Sequence, residues 1–187
     1  MPAPPIKHLD VKNLDGYDQG VRQVQRFDEV DQLVQAWARE RGDLDLTPVE
    51  VFSRITRVAK LLDQARKRAF SAHDLEGWEF DVLAALRRSG TPYLLSPGRL
   101  TKETLVTSGT MTNRIDRLAT RGFVRRQPDP DDRRGVLVAL TDSGRKRVDD
   151  AFEELLEQER ALLGLLSAED RRSLAGLLRS LMEPSAE

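Results

Sequence analysis

The stretch from Leu100 to Thr141 constrains this chain most, because two helical patterns run through a tight turn into a short hairpin. Leu100 and Thr104 fall at helical spacing, Val106-Thr107-Ser108-Gly109 interrupts the period, and Met111, Ile115 and Leu118 form a second apolar stripe that stops at Gly122. Phe123-Val124-Arg125-Arg126 and Val136-Leu137-Val138-Ala139-Leu140 read as paired strands. Between them Gln127-Pro128-Asp129-Pro130-Asp131-Asp132-Arg133-Arg134-Gly135 carries the prolines and aspartates of a turn. Helix, turn, helix and an arginine-tipped hairpin in this order are the sequence form of a winged helix-turn-helix.

Charge sets the segment apart from its surroundings. Residues 99–147 hold twelve Lys/Arg and six Asp/Glu, a local net of +6 in a chain whose formal net charge is −1, so the remainder carries −7. A near-neutral total conceals this asymmetry. A basic segment beside an acidic body is the electrostatic footprint of a protein that lays one face on phosphates, and the pattern points to duplex DNA.

The other function classes find less support in the residues. No apolar run approaches the length of about 18 residues that a bilayer span needs, and the opening Met1-Pro2-Ala3-Pro4-Pro5 lacks the apolar centre of a signal peptide, so the expectation is a cytoplasmic protein with no membrane partner. Cysteine is absent, which removes disulfides, zinc fingers and a thiol switch. With His8 and His73 the only histidines and no Gly-rich phosphate loop, no metal site, no cofactor and no enzyme are expected. A winged helix serving only protein interaction would have no need of a basic helix and wing; salt-sensitive binding to a palindrome separates the two.

Outside the DNA segment the chain reads as helices, giving a mainly α fold with a small β wing. Residues 1–15 contain three prolines and no clear period, the pattern of a flexible arm. Val21, Val24, Phe27, Val30, Val34 and Trp37 predict one amphipathic helix, or two in series, over Tyr17 to Arg41. Thr47-Pro48-Val49-Glu50 opens another that runs to about Phe70 with Phe52, Ile55, Ala59, Leu62 and Ala69 inward. A helix over 77–88 buries Phe80, Leu83 and Leu86. After the wing, Thr141-Asp142-Ser143-Gly144 starts a helix with Val148, Phe152, Leu155, Leu162 and Leu166, and Ser167-Ala168-Glu169-Asp170 starts the last, with Leu174, Leu177, Leu178 and Leu181. Residues 16–187 are therefore expected as one domain, 75–141 the winged helix and 16–70 with 142–183 a helical dimerisation region built from both termini. Leucine stripes at the end of so small a chain are most simply buried against a second copy as a two-fold homodimer; packing back within one subunit is the alternative.

The run Gly77-Trp78-Glu79-Phe80-Asp81-Val82-Leu83-Ala84-Ala85-Leu86, the helix-turn-helix through Arg117-Leu118 and Gly122, the wing Asp129-Pro130-Asp131-Asp132-Arg133-Arg134 and the closing Leu140-Thr141-Asp142-Ser143-Gly144 together resemble the MarR family of winged-helix regulators over about residues 30–183. The resemblance implies a triangular dimer, joined through its N- and C-terminal helices, that binds a palindromic operator. It further implies release of that operator when a small, often phenolic or anionic, ligand enters a pocket between the dimerisation and DNA-binding regions.

A narrower likeness concerns the ligand. Trp37 near the end of the extra first helix, Asp81, Arg114 in the recognition helix and Arg126 at the base of the wing resemble the set found in the urate-responsive branch of the family. Urate is a flat, singly charged purine. An indole edge and an arginine suit its ring and anionic face, while a nearby aspartate is repelled by the bound charge, which could shift the recognition helix through Arg114. Citrate, aconitate or a phenolic compound are the alternatives. Taken one at a time, Trp37 is equally a core aromatic, Asp81 a helix-dipole partner, Arg114 a phosphate contact and Arg126 an exposed strand residue.

For DNA, Thr110, Thr112, Asn113 and Arg117 lie on the recognition-helix face away from Met111, Ile115 and Leu118, and Arg114 lies beside them. Asn and Arg suit bidentate contacts to adenine and guanine, and Thr suits a thymine methyl or a phosphate. At the wing the resemblance makes Arg134 the minor-groove residue with Asp132 bracing it, and Arg133 adds charge.

Overall fold

The computed structural model describes residues 27–132 and 134–183. The expected arm over 1–15 and the start of the first predicted helix lie outside them. In order the elements are α1 (Glu29–Glu40), α2 (Thr47–Ala72), α3 (Gly77–Arg88), β1 (Leu94–Leu95), α4 (Pro97–Thr104), α5 (Ser108–Thr120), β2 (Val124–Pro128), β3 (Val136–Leu140), α6 (Asp142–Leu162) and α7 (Ala168–Met182). The chain divides into two compact units, with the break between Ile55 and Thr56 inside α2.

In the first unit Asp28 starts α1 as a capping box: its carboxylate accepts from the Val30 and Asp31 amides, while Asp31 accepts from the Asp28 amide. Arg54 of α2 ties this cap down through Asp28 at 3.0 Å and Asp31 at 2.7 Å. Its guanidinium is the main reason that the Asp28 carboxyl is lowered from 3.8 to about 2.

In the second unit α3 is the central element, with Phe80, Val82, Leu83, Ala84, Ala85 and Leu86 all buried. Phe70 from the end of α2 stacks on Phe80 with centroids 4.2 Å apart. Leu100 of α4, Met111, Ile115 and Leu118 of α5, Val138 and Leu140 of β3, and Val148, Ala151 and Leu155 of α6 complete the same cluster. The sheet has the order β1-β3-β2 and is antiparallel throughout, with Val124 opposite Leu140 and Arg126 opposite Val138. Strand β1 was not expected from the residues. Two residues long, it is held by pairing Leu94 with Ala139 and Leu95 with Val138.

The turn into α6 explains the Leu-Thr-x-x-Gly run physically. Thr141 is the N-cap: its Oγ1 accepts from the Gly144 amide at 3.0 Å and lies 2.8 Å from the Gly122 carbonyl oxygen, and its own amide donates to Phe123. A Cβ at position 144 would overlap the Phe123 carbonyl, so α6 can approach the start of β2 this closely only with glycine there.

The predicted inner face of α2 is only partly inward. Ala65, Ala69 and Phe70 are buried, whereas Phe52 is 55% exposed and Ile55 and Ala59 are exposed as well. The helical period is present along the whole element, but only its last turns meet the core around α3. Helix α7 goes further and buries no residue at all.

Candidate nucleic-acid interface

Two caps define the reading head. Ser96 Oγ accepts from the Arg99 amide at the start of α4, where Pro97 occupies the first turn. Thr107 Oγ1 accepts from the Thr110 amide at the start of α5. Leu100, Met111, Ile115 and Leu118 then lock the two helices together, so the opposite face of α5 is turned outward.

On that outward face the candidates divide by what already holds them. The Thr110 hydroxyl is 2.9 Å from Thr107 Oγ1 and the Thr112 hydroxyl donates to the Ser108 carbonyl, which leaves their methyl groups as the outward chemistry. Asn113 is exposed, and its side chain makes no hydrogen bond among the described residues. Arg117 Nη2 donates to Glu76 Oε1 at 2.7 Å, and its guanidinium stands 4.7 Å from the Trp78 ring centroid. Arg114 stands over the same ring at 5.4 Å.

At the wing the chain closes on itself. The Asp129 amide donates to the Gly135 carbonyl, the Gly135 amide to the Asp132 carbonyl and the Asp131 amide to the Asp129 carboxylate. Asp132 accepts from the Arg134 backbone amide at 2.9 Å, so what it steadies is the backbone of Arg134; that residue is exposed. Arg133 lies outside the described residues.

The proposed ligand residues are distributed as follows. Asp81 pairs with Arg66 of α2 at 3.1 Å and lines a cavity of about 470 Å³ together with Asp63, Lys67, Phe70, Glu76 and Trp78. Arg114 meets the Trp78 ring, which forms part of that wall. Arg126 on β2 is held by Asp116 of α5 at 2.8 Å. Trp37 sits on α1 in the other unit and is 48% exposed.

The four-residue set passed over several residues that organise this region. Glu79, only 1% exposed, meets Arg121 Nη1 at 2.6 Å and accepts from the Glu76 amide, while Arg121 Nη2 also donates to the Asp74 carbonyl and carboxylate. This clamp fastens the end of α5 to the turn between α2 and α3. Arg66, Lys67 and Trp78 line the cavity with Asp81. No periodicity marks Trp78 as the partner of Arg114 and Arg117, since the contacts join residues 36 and 39 positions apart.

The sequence profile of the MarR family matches residues 73–135, which run from just after α2 to the tip of the wing, short of β3. The regulator PecS of Dickeya dadantii strain 3937, named as an HTH-type transcriptional regulator, is 41% identical over 153 residues, covering 82% of this chain and 92% of PecS. This chain belongs to the MarR family. The multiple antibiotic resistance protein MarR of Escherichia coli strain K12 is 30% identical over 132 residues, covering 67% and 89% of the two chains. The fold agrees as well: a mutant MarR from E. coli solved in complex with operator DNA superposes with a TM-score of 0.57 at 28% identity, over 71% of this chain and 99% of that one. The chain is thus a MarR-family, DNA-binding transcriptional regulator with a winged helix-turn-helix, and not an enzyme. Among the described residues no helix is long and apolar enough to cross a membrane.

Proposed function

We propose that this regulator binds a palindromic operator as a homodimer and represses until a small anion, urate in the first instance, releases it. The observation that carries the DNA part is the outward face of α5 beside an arginine-bearing wing, in the segment of net +6. In this reading Asn113 and Arg117 meet base edges, the Thr110 and Thr112 methyls meet thymine or sugar, and Arg114 meets phosphate. Arg134, its backbone steadied by Asp132, enters a narrow minor groove with Arg133 adding charge. The leucines of α7, all exposed in the single chain, support a second copy as the partner of the terminal helices.

The ligand part rests on the 470 Å³ cavity, whose wall combines two cations, two aromatic rings and three carboxylates, Asp63, Glu76 and Asp81. A flat anion there would compete with Asp81 for Arg66 and would lie one ring away from the recognition-helix arginines. Trp37, Arg114 and Arg126 are the rest of the urate set that the resemblance supplies, and none of them lines this cavity. Mobility shifts on the inverted repeat nearest the gene test both parts. Urate should release the protein, and Arg126→Ala should weaken urate action while leaving DNA affinity within about threefold. Release by citrate, aconitate or salicylate but not by urate would replace the ligand and keep the cavity; indifference to all four would remove the cavity from the mechanism.

A further inference from the structure

Trp78 and Glu76 lie outside the DNA-reading face, yet both hold the arginines that belong to it. Trp78 Nε1 donates to Glu76 Oε2 at 2.6 Å, and the other carboxylate oxygen accepts from Arg117 Nη2 at 2.7 Å. One carboxylate therefore bridges an indole N–H and a guanidinium. The same indole faces Arg117 and Arg114 at 4.7 and 5.4 Å. Both donors keep the Glu76 carboxyl below the usual range, the indole N–H contributing more than Arg117.

We propose that Glu76 and Trp78 are positioning residues for DNA recognition: together they hold the Arg117 guanidinium against the start of α3 in the DNA-free protein, and a DNA phosphate or base must take it over from the Glu76 carboxylate. The proposal rests on the assignment of Arg117 to the DNA interface. Glu76 presents to Arg117 what DNA presents, an anionic oxygen acceptor. The pair is more than half exposed on both sides, at 59% and 57%, so it is weak and open to displacement. Trp78 makes the exchange definite, because its N–H fixes one oxygen of Glu76 and its ring supports the guanidinium plane. Glu76 and Trp78 also line the cavity beside Asp81. An occupant of that cavity would therefore act on Arg117 through the side chains that hold it.

Affinity makes the exchange measurable, because moving Arg117 to DNA breaks the ion pair with Glu76 that the DNA-free protein already has. Glu76→Gln keeps an oxygen for the indole N–H and removes the charge. On a duplex selected from random sequence by the wild-type protein, this variant should bind about three- to tenfold more tightly. On an Arg117→Ala background the same change should matter less than twofold.

An equal gain on that background would mean that Glu76 acts only by long-range repulsion, and no gain in the first background would mean that it does not compete; either result overturns the proposal. If Arg117→Ala by itself leaves DNA affinity intact, the interface assignment fails first and the latch falls with it. The second readout needs no charge change. In Trp37→Phe protein Trp78 is the sole tryptophan, and its emission should change on saturation with DNA and change much less in the Arg117→Ala variant. Unchanged emission at saturation would show that the grip stays closed, and the proposal would be wrong.

Discussion

Helices α5 and α7 carry similar apolar stripes and meet opposite fates. Met111, Ile115 and Leu118 of α5 are buried within the chain, while Leu174, Leu177, Leu178 and Leu181 of α7 remain 39–68% exposed. Periodicity alone cannot distinguish them, since both repeat apolar residues every three or four positions. The stripe of α5 faces Leu100 and the sheet within a few dozen residues of chain. That of α7 has no such partner among the described residues, and a second copy of the chain is the partner we propose. The lesson is that a helix built to read DNA must be rigidly seated by its own subunit, whereas a helix built to join subunits must keep its stripe open.

The largest effect should come from spoiling the open stripe. Leu177→Glu with Leu181→Glu is expected to leave helix content unchanged, to shift the light-scattering mass to the 21.1 kDa of one chain, and to weaken operator binding by about a thousandfold, ~4 kcal/mol. A dimer that survives both changes would place the interface elsewhere. Spoiling the closed stripe should act on stability instead: Leu118→Ala leaves a cavity in the core and should cost about 3 kcal/mol by denaturant unfolding. If it dissociates the dimer without lowering stability, the contrast between the helices is wrong.

At the seam that seats the wing, Gly144→Ala must push α6 off the Phe123 carbonyl and should cost about 2 kcal/mol. Within the reading head, Asn113→Ala should lose about 1–2 kcal/mol and relax base preference at one position of each half-site. Arg134→Ala should weaken all sequences by a similar factor. Equal behaviour of the two would end the division between base and backbone roles.

The smallest effect belongs to the cap of α1. The folded carboxyl of Asp28 lies at about 2, below its usual 3.8, so its contribution is present above about pH 4 and is lost as pH falls through 2. Asp28→Asn should remove that part of the acid sensitivity, read as α1 amide exchange between pH 4 and 2. An identical pH profile in the variant would show that Arg54 does not act through Asp28.

Much of this organisation was legible in the residues because it is local. Proline and threonine at helix starts, the stop at Gly122, the Asp- and Pro-rich wing tip and the concentration of arginines are short-range signals, and the helix-turn-helix and hairpin follow from them. Strand β1 was not legible, since two residues have no period and gain their structure only by pairing with Ala139 and Val138. Nor was the burial along α2, where one continuous stripe is inward at Ala65, Ala69 and Phe70 and outward at Phe52.

The same division runs through the site. Residue types and spacing were enough to place Thr110, Thr112, Asn113 and Arg117 on one outward face, because a helix with Met111, Ile115 and Leu118 buried has only one other side. Which groups those side chains meet was a matter of folding. Glu76 and Arg117 are 41 positions apart, Asp81 and Arg66 are 15 apart, and Glu79 and Arg121 are 42 apart. Ion pairs at such separations leave no period in the chain. They exist because packing α3 against α4, α6 and β3, with α5 seated on α4 and β2, brings the start of α3 beside the recognition helix. Local sequence thus specifies the elements and their outward faces, while the partner of each charge depends on where the core sets those elements down.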